Sequence, residues 1–225
     1  MQTTFEQLGK QVTIEGSAHD HIFRTIQTSG DFYEREMLDY MASLNPTGSV
    51  VDVGANIGNH SVYLGLFTNS PRIIAIEPYL KASEYLKGNI ATNKLGDIVV
   101  QEHCALGAAN SRVGLKPGPA RNIGHTKVRE GSDIALRPLD EVVMHDKVSI
   151  IKVDVEGYEL EVLKGAAETL ARQKPYLFVE ASNKLRRRKL DAFLAQFGYQ
   201  RDRVFNNQPT YLYSSFVRTG ATSTR

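Results

Sequence analysis

The chain has few of the features that mark secreted, zinc-binding and membrane-spanning proteins. It contains one cysteine, Cys104, in 225 residues, which excludes an internal disulfide framework and is typical of a reducing compartment. No cluster of cysteine and histidine has the spacing of a zinc site. No apolar run approaches the roughly 20 residues that a membrane span needs, and residues 1–7 lack the pattern of a secretory signal. We therefore expect a cytoplasmic protein without a membrane span.

An excess of charge of one sign is also missing. The chain carries 27 Lys and Arg residues against 25 Asp and Glu residues, a net charge of +2. This balance does not favour a nucleic-acid binder, so we expect a small-molecule partner. The one charge run, residues 184–189, is consistent either with a solvated helix start or with contact to an anionic acceptor or a membrane surface. The sequence does not determine the oligomeric state, and it is compatible with a homodimer.

What the chain does contain is a regular alternation of apolar runs and helical patterns, with 41% hydrophobic residues, enough for one α/β core. Strands are predicted at 49–53, 72–77, 97–102, 148–154 and 175–180, and a closing hairpin at 199–205 and 210–216. Helices are predicted at 31–44, 59–68, 79–93, 159–172 and 184–197. We expect residues 1–48 to form a helical extension that packs on the core, 49–225 to form the main domain, and 116–132 to form a long loop.

The most informative stretch is residues 50–59, where an apolar run ends in Asp52 and two glycines, Gly54 and Gly58, precede a helical pattern. A buried strand, a glycine turn and a helix start form the usual site of nucleotide-like cofactors in open α/β sheets. The Gly-x-x-x-Gly spacing differs from the Gly-x-Gly-x-x-Gly of dinucleotide binders. A carboxylate at Asp52 would repel a diphosphate, whereas it could accept hydrogen bonds from the ammonium of S-adenosylmethionine.

Two further strands end in carboxylates. Glu77 ends the next strand, where an acidic residue can hold both hydroxyls of a ribose. NAD and S-adenosylmethionine share that requirement, so Glu77 does not choose between them. Asp154, Glu156 and Glu159 follow a later strand. We interpret Asp154 and Glu156 as functional and Glu159 as a helix-start or substrate residue.

These segments, in this order, resemble the FkbM-type methyltransferases. The resemblance runs from about Tyr33 to Glu180, and its most specific parts are VDVGANIG at 51–58 and IKVDVEGYE at 151–159. The other matching segments are IEP at 76–78, ALG at 105–107, LDE at 139–141, LKGA at 163–166 and FVE at 178–180. The resemblance implies a class I methyltransferase (Rossmann-like) α/β fold, with a seven-stranded, mostly parallel sheet, helices on both faces and a C-terminal antiparallel hairpin.

The resemblance also implies S-adenosylmethionine as cofactor and O-methylation of a small molecule, sugar, glycolipid or polyketide-type hydroxyl. In this interpretation the Gly54 turn approaches the methionine portion, a side chain at Gly54 would collide with the cofactor, and Ala105 and Leu106 contact the adenine. The predicted cofactor-binding residues are Asp52, Gly54, Ala55, Asn56, Gly58, Asn59, Glu77, Pro78, Ala105, Leu106, Asp154 and Glu156.

An alcohol acceptor needs a base or a metal ion. The predicted catalytic residues are Asp154, Glu180 and His125, with Glu156, His60 and His103 as further candidates for the base. Asn122, Tyr158 and Glu159 are the predicted substrate-binding residues, and the segment that holds Asn122 and His125 resembles the family's Asn-x-Gly. Oxygen ligands at the ends of adjacent strands suit Mg²⁺, but the spacing does not require a metal.

Besides a nucleic-acid methyltransferase, which only the basic run 184–189 suggests, two other functions remain open from the sequence. One is a nicotinamide-dependent oxidoreductase on a similar sheet, against which the glycine spacing and Asp52 count. The other is a non-catalytic cofactor-binding module, against which the intact Asp154-x-Glu156-Gly157 segment counts.

Overall fold

A computed structural model describes residues 1–116, 118 and 126–215. The strands, in chain order, are β1 (Gln2–Gln7), β2 (Lys10–Glu15), β3 (Ser49–Val53), β4 (Ile73–Ile76), β5 (Val99–Glu102), β6 (Ala105–Leu106), β7 (Ser111–Lys116), β8 (Lys127–Arg137), β9 (Val148–Val153), β10 (Tyr176–Glu180), β11 (Tyr199–Phe205) and β12 (Thr210–Ser215). The helices are α1 (His21–Ser29), α2 (Arg35–Ser43), α3 (Asn59–Phe67), α4 (Leu80–Thr92), α5 (Leu139–Val142), α6 (Glu159–Lys164), α7 (Ala167–Arg172) and α8 (Lys184–Ala195).

Seven strands form the central sheet, in the order β11-β12-β10-β9-β3-β4-β5. The five strands from β10 to β5 are parallel, while β12 runs antiparallel to both β10 and β11. From β3 the chain moves outward to β4 and β5, and after β9 it moves the other way to β10. The order of strands therefore reverses between β3 and β9, and ligands of open α/β sheets bind at such a reversal.

The sheet has a buried core on each face, because alternate residues of its strands point to opposite sides. Val50 packs with residues of α1 to α4, whereas its neighbour Val51 packs with residues of α5 to α8. The sequence prediction of a seven-stranded, mostly parallel sheet with helices on both faces and a closing antiparallel hairpin is confirmed.

The N-terminal region packs on the first of these cores. The hairpin of β1 and β2 lies against α4, where two asparagines hydrogen-bond the backbone of β2. Asn89 accepts from Glu15 N at 2.6 Å and donates to Glu15 O at 3.0 Å, and Asn93 makes the same pair of bonds to Thr13. Val12 and Ile14 are fully buried beneath. Residues 1–48 thus include a β-hairpin as well as two helices, and their status as a separate domain stays a prediction.

The structure corrects two of the predicted elements. The loop predicted at 116–132 ends earlier, since β8 begins at Lys127 and pairs antiparallel with β7 in a small sheet of order β6-β8-β7. The single helix predicted at 159–172 is two helices. They break at Gly165, whose carbonyl oxygen accepts from Asp140 N at 2.9 Å, while the Asp140 carboxylate accepts from the N–H groups of Glu168 and Thr169 in α7, each at 2.9 Å.

Candidate active site

A cleft opens at the reversal of the sheet, above the carboxyl ends of β3, β4, β9 and β10. The space between its walls, together with the open solvent at its mouth, is about 1250 Å³. Side chains from α1, from the turn before α2 and from β7 and β8 line it as well.

The turn after β3 forms the floor of the cleft. Gly54 has a left-handed φ of +77°, and a Cβ on it would lie 1.9 Å from the carbonyl oxygen of Asp154. A side chain at Gly54 would therefore meet the backbone of the neighbouring strand end, and its collision with the cofactor stays a prediction. Gly58, at φ +92°, is restricted by Leu86 of α4 in the same way, at 2.7 Å.

Asp52 lies beneath this floor and is fully buried. Its Oδ1 is 3.0 Å from Lys152 Nζ, an ion pair without good hydrogen-bond angles, and its Oδ2 accepts from Ser61 Oγ at 2.7 Å. Burial raises the pKa of Asp52, but Lys152, His60 and Ser61 together lower it further, and the net shift is downward. Both carboxylate oxygens are thus engaged inside the protein, which differs from the predicted contact of Asp52 with a cofactor ammonium.

Lys152 is the functional residue that sequence reasoning missed. It lies on β9 directly opposite Asp52 of β3, is 2% exposed, and donates to Gly54 O at 3.0 Å. Burial would lower its pKa, but the nearby carboxylates raise it above its usual value, so it stays charged. The signal was present: a lysine inside the apolar run Ile150–Val153 is costly to bury unless a carboxylate pairs with it.

Glu77 lines the cleft at the end of β4 and is 6% exposed. Its Oε2 accepts from Asn56 N at 2.9 Å and its Oε1 accepts from Tyr79 N at 2.8 Å. Burial raises the pKa of Glu77 to about 7, although these two hydrogen bonds act in the opposite direction. Each oxygen keeps a lone pair that can accept from a ligand hydroxyl.

A pair of carboxyl groups lies across the cleft. Asp154, with 32% of its side chain exposed, and Glu180, which is buried, are joined by a side-chain hydrogen bond. Burial and the neighbouring charge of Asp154 raise the pKa of Glu180 well above its usual value, while Lys152 lowers that of Asp154. Glu180 therefore holds the shared proton and donates it to Asp154. Gln208 completes the group, since its Nε2 donates to Glu180 Oε1 at 2.5 Å.

Two consecutive residues of α3 contact two consecutive residues before α2. Asn59 accepts from Tyr33 N through Oδ1 and donates to Tyr33 O through Nδ2, each at 3.0 Å. His60 lies with its Nε2 3.1 Å from Glu34 Oε2. All four residues line the cleft. Asn59, a predicted cofactor residue, thus uses its carboxamide to hold Tyr33 in place.

The turn after Asp154 is tightly built. Glu156 and Gly157 have left-handed φ values of 53° and 101°, and Gly157 N donates to Glu159 Oε1 at 2.6 Å. Glu159 is 4% exposed and begins α6, which agrees with a helix-start role. Arg186 packs over Gly157, so that a Cβ there would lie 2.5 Å from its guanidinium. This arginine of the 184–189 run thus contacts the protein itself.

Most of the residues predicted for the site come together in the cleft. Those that line it are Gly54, Ala55, Asn56, Asn59, Glu77, Pro78, Ala105, Leu106, Asp154, Glu156, Tyr158 and Glu180. Asp52, Gly58 and Glu159 support it from behind. Asn122 and His125 lie outside the described residues. Besides Lys152, reasoning from sequence left out Glu34, His21 and Gln208 from its set.

The described ranges 1–116, 118 and 126–215 contain no group of three or more His, Cys, Asp or Glu side chains that could hold a metal ion. In that same part of the chain, no helix has both the length and the apolar character to cross a bilayer.

The order of the strands, the antiparallel closing hairpin and a cleft at the sheet reversal define a class I methyltransferase-like α/β protein. The crystal structure of methyltransferase FkbM from Methylobacillus flagellatus has this fold, with a TM-score of 0.63 and 22% identity over 83% of this chain and 49% of that one. M. capricolum TrmK, solved with S-adenosyl-homocysteine, is similar in fold at a TM-score of 0.52 and 10% identity, over 79% of this chain and 66% of that one.

The chain belongs to the FkbM methyltransferase family, whose domain model matches residues 52–201. It is similar to the hexuronic acid methyltransferase AglP of Haloferax volcanii, with 31% identity over 53% of this chain and 50% of the relative. It is also similar to the methyltransferase sdnD of Sordaria araneosa, with 28% identity over 57% of this chain and 64% of the relative. The chain thus spans about half to two thirds of the length of these curated relatives.

Proposed function

We propose that the chain is an S-adenosylmethionine-dependent O-methyltransferase that acts on a hydroxyl of a small molecule, sugar, glycolipid or polyketide-type acceptor. The observation that carries the proposal is the Glu77 carboxylate, held by the N–H groups of Asn56 and Tyr79 beside the Gly54 turn. Such a carboxylate, at the end of the strand next to a glycine turn, is placed to accept from two ribose hydroxyls.

The charges of the cleft support S-adenosylmethionine over a dinucleotide. Among the described lining residues, Lys152 is the only lysine or arginine, and it is buried in its pair with Asp52. A diphosphate would therefore find acidic side chains and no free lysine or arginine in this part of the cleft. A cofactor with an ammonium and a sulfonium would instead face Asp154, whose side chain is partly exposed there.

The chain's own groups would bind and orient both ligands. S-adenosylmethionine, when bound, supplies a methyl group made electrophilic by its sulfonium. Glu77 would hold the ribose, and Ala105 and Leu106 would pack against the adenine. Asp154, kept ionised by Lys152, would face the positive charge, and Glu180 would hold the proton that fixes the Asp154 carboxylate in one orientation. A closed, aligned site of this kind lowers the barrier chiefly by orientation.

The acceptor class is supported by the relatives. AglP is named for methylation of a hexuronic acid, a polyhydroxylated sugar. Gln208, Glu180 and Tyr158 give the outer part of the cleft the amide, carboxyl and phenol groups that bind hydroxyls. We infer a hydroxyl-bearing acceptor of small-molecule size, and we propose no metal ion.

The test is to incubate the protein with labelled S-adenosylmethionine and a fractionated small-molecule extract, and to identify what gains a methyl group. We also expect S-adenosylhomocysteine to raise the melting temperature by mass action. Stabilisation by NAD, with none from S-adenosylhomocysteine, would overturn the proposal. Binding of S-adenosylhomocysteine without transfer to any fraction would favour a non-catalytic cofactor-binding module.

A further inference from the structure

Five carboxyl groups of the described residues line the cleft, and the two at the ends of β9 and β10, Asp154 and Glu180, are poorly suited to take a proton from an alcohol. Glu180 already carries a proton, because burial and Asp154 raise its pKa well above the usual value. Asp154 is ionised, but Lys152 lowers its pKa, which makes it a weak base. An efficient general base has a pKa near the working pH, and histidine is the side chain that has one without special tuning.

His60 is the buried histidine of the cleft. It is 5% exposed, and its Nε2 lies 3.1 Å from Glu34 Oε2, an ion-pair distance without good hydrogen-bond angles, with both side chains nearly removed from solvent. Its Nδ1 has no hydrogen-bond partner among the described residues, and the ring lines the cleft. His60 is also near Asp154, whose pKa it helps to lower after the larger effects of burial, Lys152 and Glu180.

The backbone around Glu34 is built to make this contact. Glu34 has φ 59° and ψ 39°, a left-handed conformation that is strained for a non-glycine residue and persists only where the surroundings impose it. Here Asn59 imposes it by binding both backbone groups of Tyr33. The same turn of α3 therefore fixes residue 33 and presents His60 to residue 34.

We propose that His60 is the general base of the methyl transfer proposed above, and that Glu34 is its positioning residue. The inference rests on the proposed function and names the group that takes the proton. The proposal places the imidazole proton on Nε2, beside Glu34 Oε2 at 3.1 Å, so that Nδ1 is unprotonated. Glu34 also balances the charge that forms when Nδ1 takes a second proton.

The step balances in atoms and charge. The acceptor oxygen forms a bond to the methyl carbon while the carbon–sulfur bond breaks and its electron pair stays on sulfur, which becomes a neutral thioether. The hydroxyl proton passes to His60 Nδ1. The positive charge of the sulfonium thus ends on the imidazolium beside Glu34, and the products are a methyl ether and S-adenosylhomocysteine.

The first test determines the tautomer of the His60 imidazole in the protein without ligands. We expect ¹⁵N NMR of the imidazole to show a protonated Nε2 and a bare Nδ1 for His60, assigned through H60N. E34Q should shift this tautomer balance, whereas H145N, at an exposed histidine that does not line the cleft, should leave the His60 signals unchanged. A His60 with its proton on Nδ1 in the wild type would overturn the proposal, whether or not methyl transfer is observed.

The second test separates chemistry from binding. In the extract fraction that the wild type methylates, H60N should lower the rate by about 10²–10⁴-fold, the usual contribution of a general base. E34Q should lower kcat by a smaller factor. Both should keep the Kd for S-adenosylhomocysteine within about twofold of the wild type, and H145N should match the wild type in rate.

A folded H60N that transfers methyl groups at the wild-type rate would overturn the base role. So would a loss of rate explained wholly by weaker cofactor binding. A wild-type protein that binds no S-adenosylhomocysteine would instead refute the proposed function, and the base role with it, while the NMR result would still decide the Glu34–His60 contact.

Discussion

Glu77 accepts from two backbone N–H groups and keeps a lone pair on each oxygen, so its side chain can bind a ligand while it also holds the turns at Asn56 and Tyr79. We predict that E77A weakens S-adenosylhomocysteine binding by about 1.5–3 kcal/mol, the range for hydrogen bonds to a charged group. Titration calorimetry measures this change, and chemical denaturation checks that the variant stays folded. An unchanged binding constant would remove Glu77 from the site.

Lys152 differs from Glu77, because all the groups that it contacts lie inside the protein. K152M would leave Asp52 buried and charged without a cation, and we predict a loss of about 3–5 kcal/mol in the free energy of unfolding. The double variant D52N/K152M removes both charges and should be more stable than K152M. Urea denaturation of the two variants and the wild type measures the difference. If the double variant were as unstable as K152M, the ion pair would not be what stabilises the floor of the cleft.

At the scale of elements, the turn after β3 meets the end of β9 at Gly54. We predict that G54A loses both stability and S-adenosylhomocysteine binding, because a Cβ 1.9 Å from Asp154 O must push the two strand ends apart. The positive φ adds about 1 kcal/mol or more of strain. G96A is the matched control. Gly96 is exposed, no atom lies within 4 Å of an added Cβ, and its φ is not left-handed. Its change in stability should stay within about 0.5 kcal/mol.

Much of the fold could be predicted from sequence at this scale, because buried strands such as Val50–Val53 are apolar runs closed by glycine turns. β8 could not, since its first residues, from Lys127 to Ser132, are polar and mostly exposed. It forms because β7 pairs with it, which no local pattern encodes. The break at Gly165 was hidden for a similar reason, because the backbone groups around it bind Asp140, 25 positions away in the chain.

The residues of the site likewise fall into those that could be predicted from the sequence and those that could not. Glu77 and Asp154 could be predicted because each directly follows a strand whose carboxyl end faces the cleft. The pairing of Lys152 with Asp52 joins residues 100 positions apart, and that of Glu34 with His60 joins an irregular turn to a helix. Reasoning from spacing therefore assigned Asp52 to the cofactor, although the fold itself uses its charge.

At the scale of the whole molecule, residues 1–48 and the sheet share one core. Eight side chains of this region are at most 3% exposed in that cluster: Val12, Ile14, Phe23, Ile26, Phe32, Met37, Leu38 and Met41. Burial of each contributes about 1.5–3 kcal/mol, or roughly 12–24 kcal/mol for the eight, which is as large as the roughly 5–15 kcal/mol by which a domain is stable. We predict that residues 49–225 alone do not fold cooperatively.

Circular dichroism and calorimetry test this prediction, with the full chain as control. The full chain should melt in a single transition, and the truncated chain should show none. A truncated chain with the melting temperature of the full protein would mean that residues 1–48 form a dispensable extension.

The pairing of Asp52 with Lys152 also bears on how the sheet is assembled. The two residues are opposite each other in the register of β3 and β9. A slip of one residue would turn the lysine to the other face of the sheet, among apolar side chains and without a carboxylate. Because an unpaired ammonium is costly to bury, every misaligned arrangement of these strands carries a penalty that the native one lacks. The pair thus favours the native register of β3 and β9 during folding, because only that register buries the two charges together.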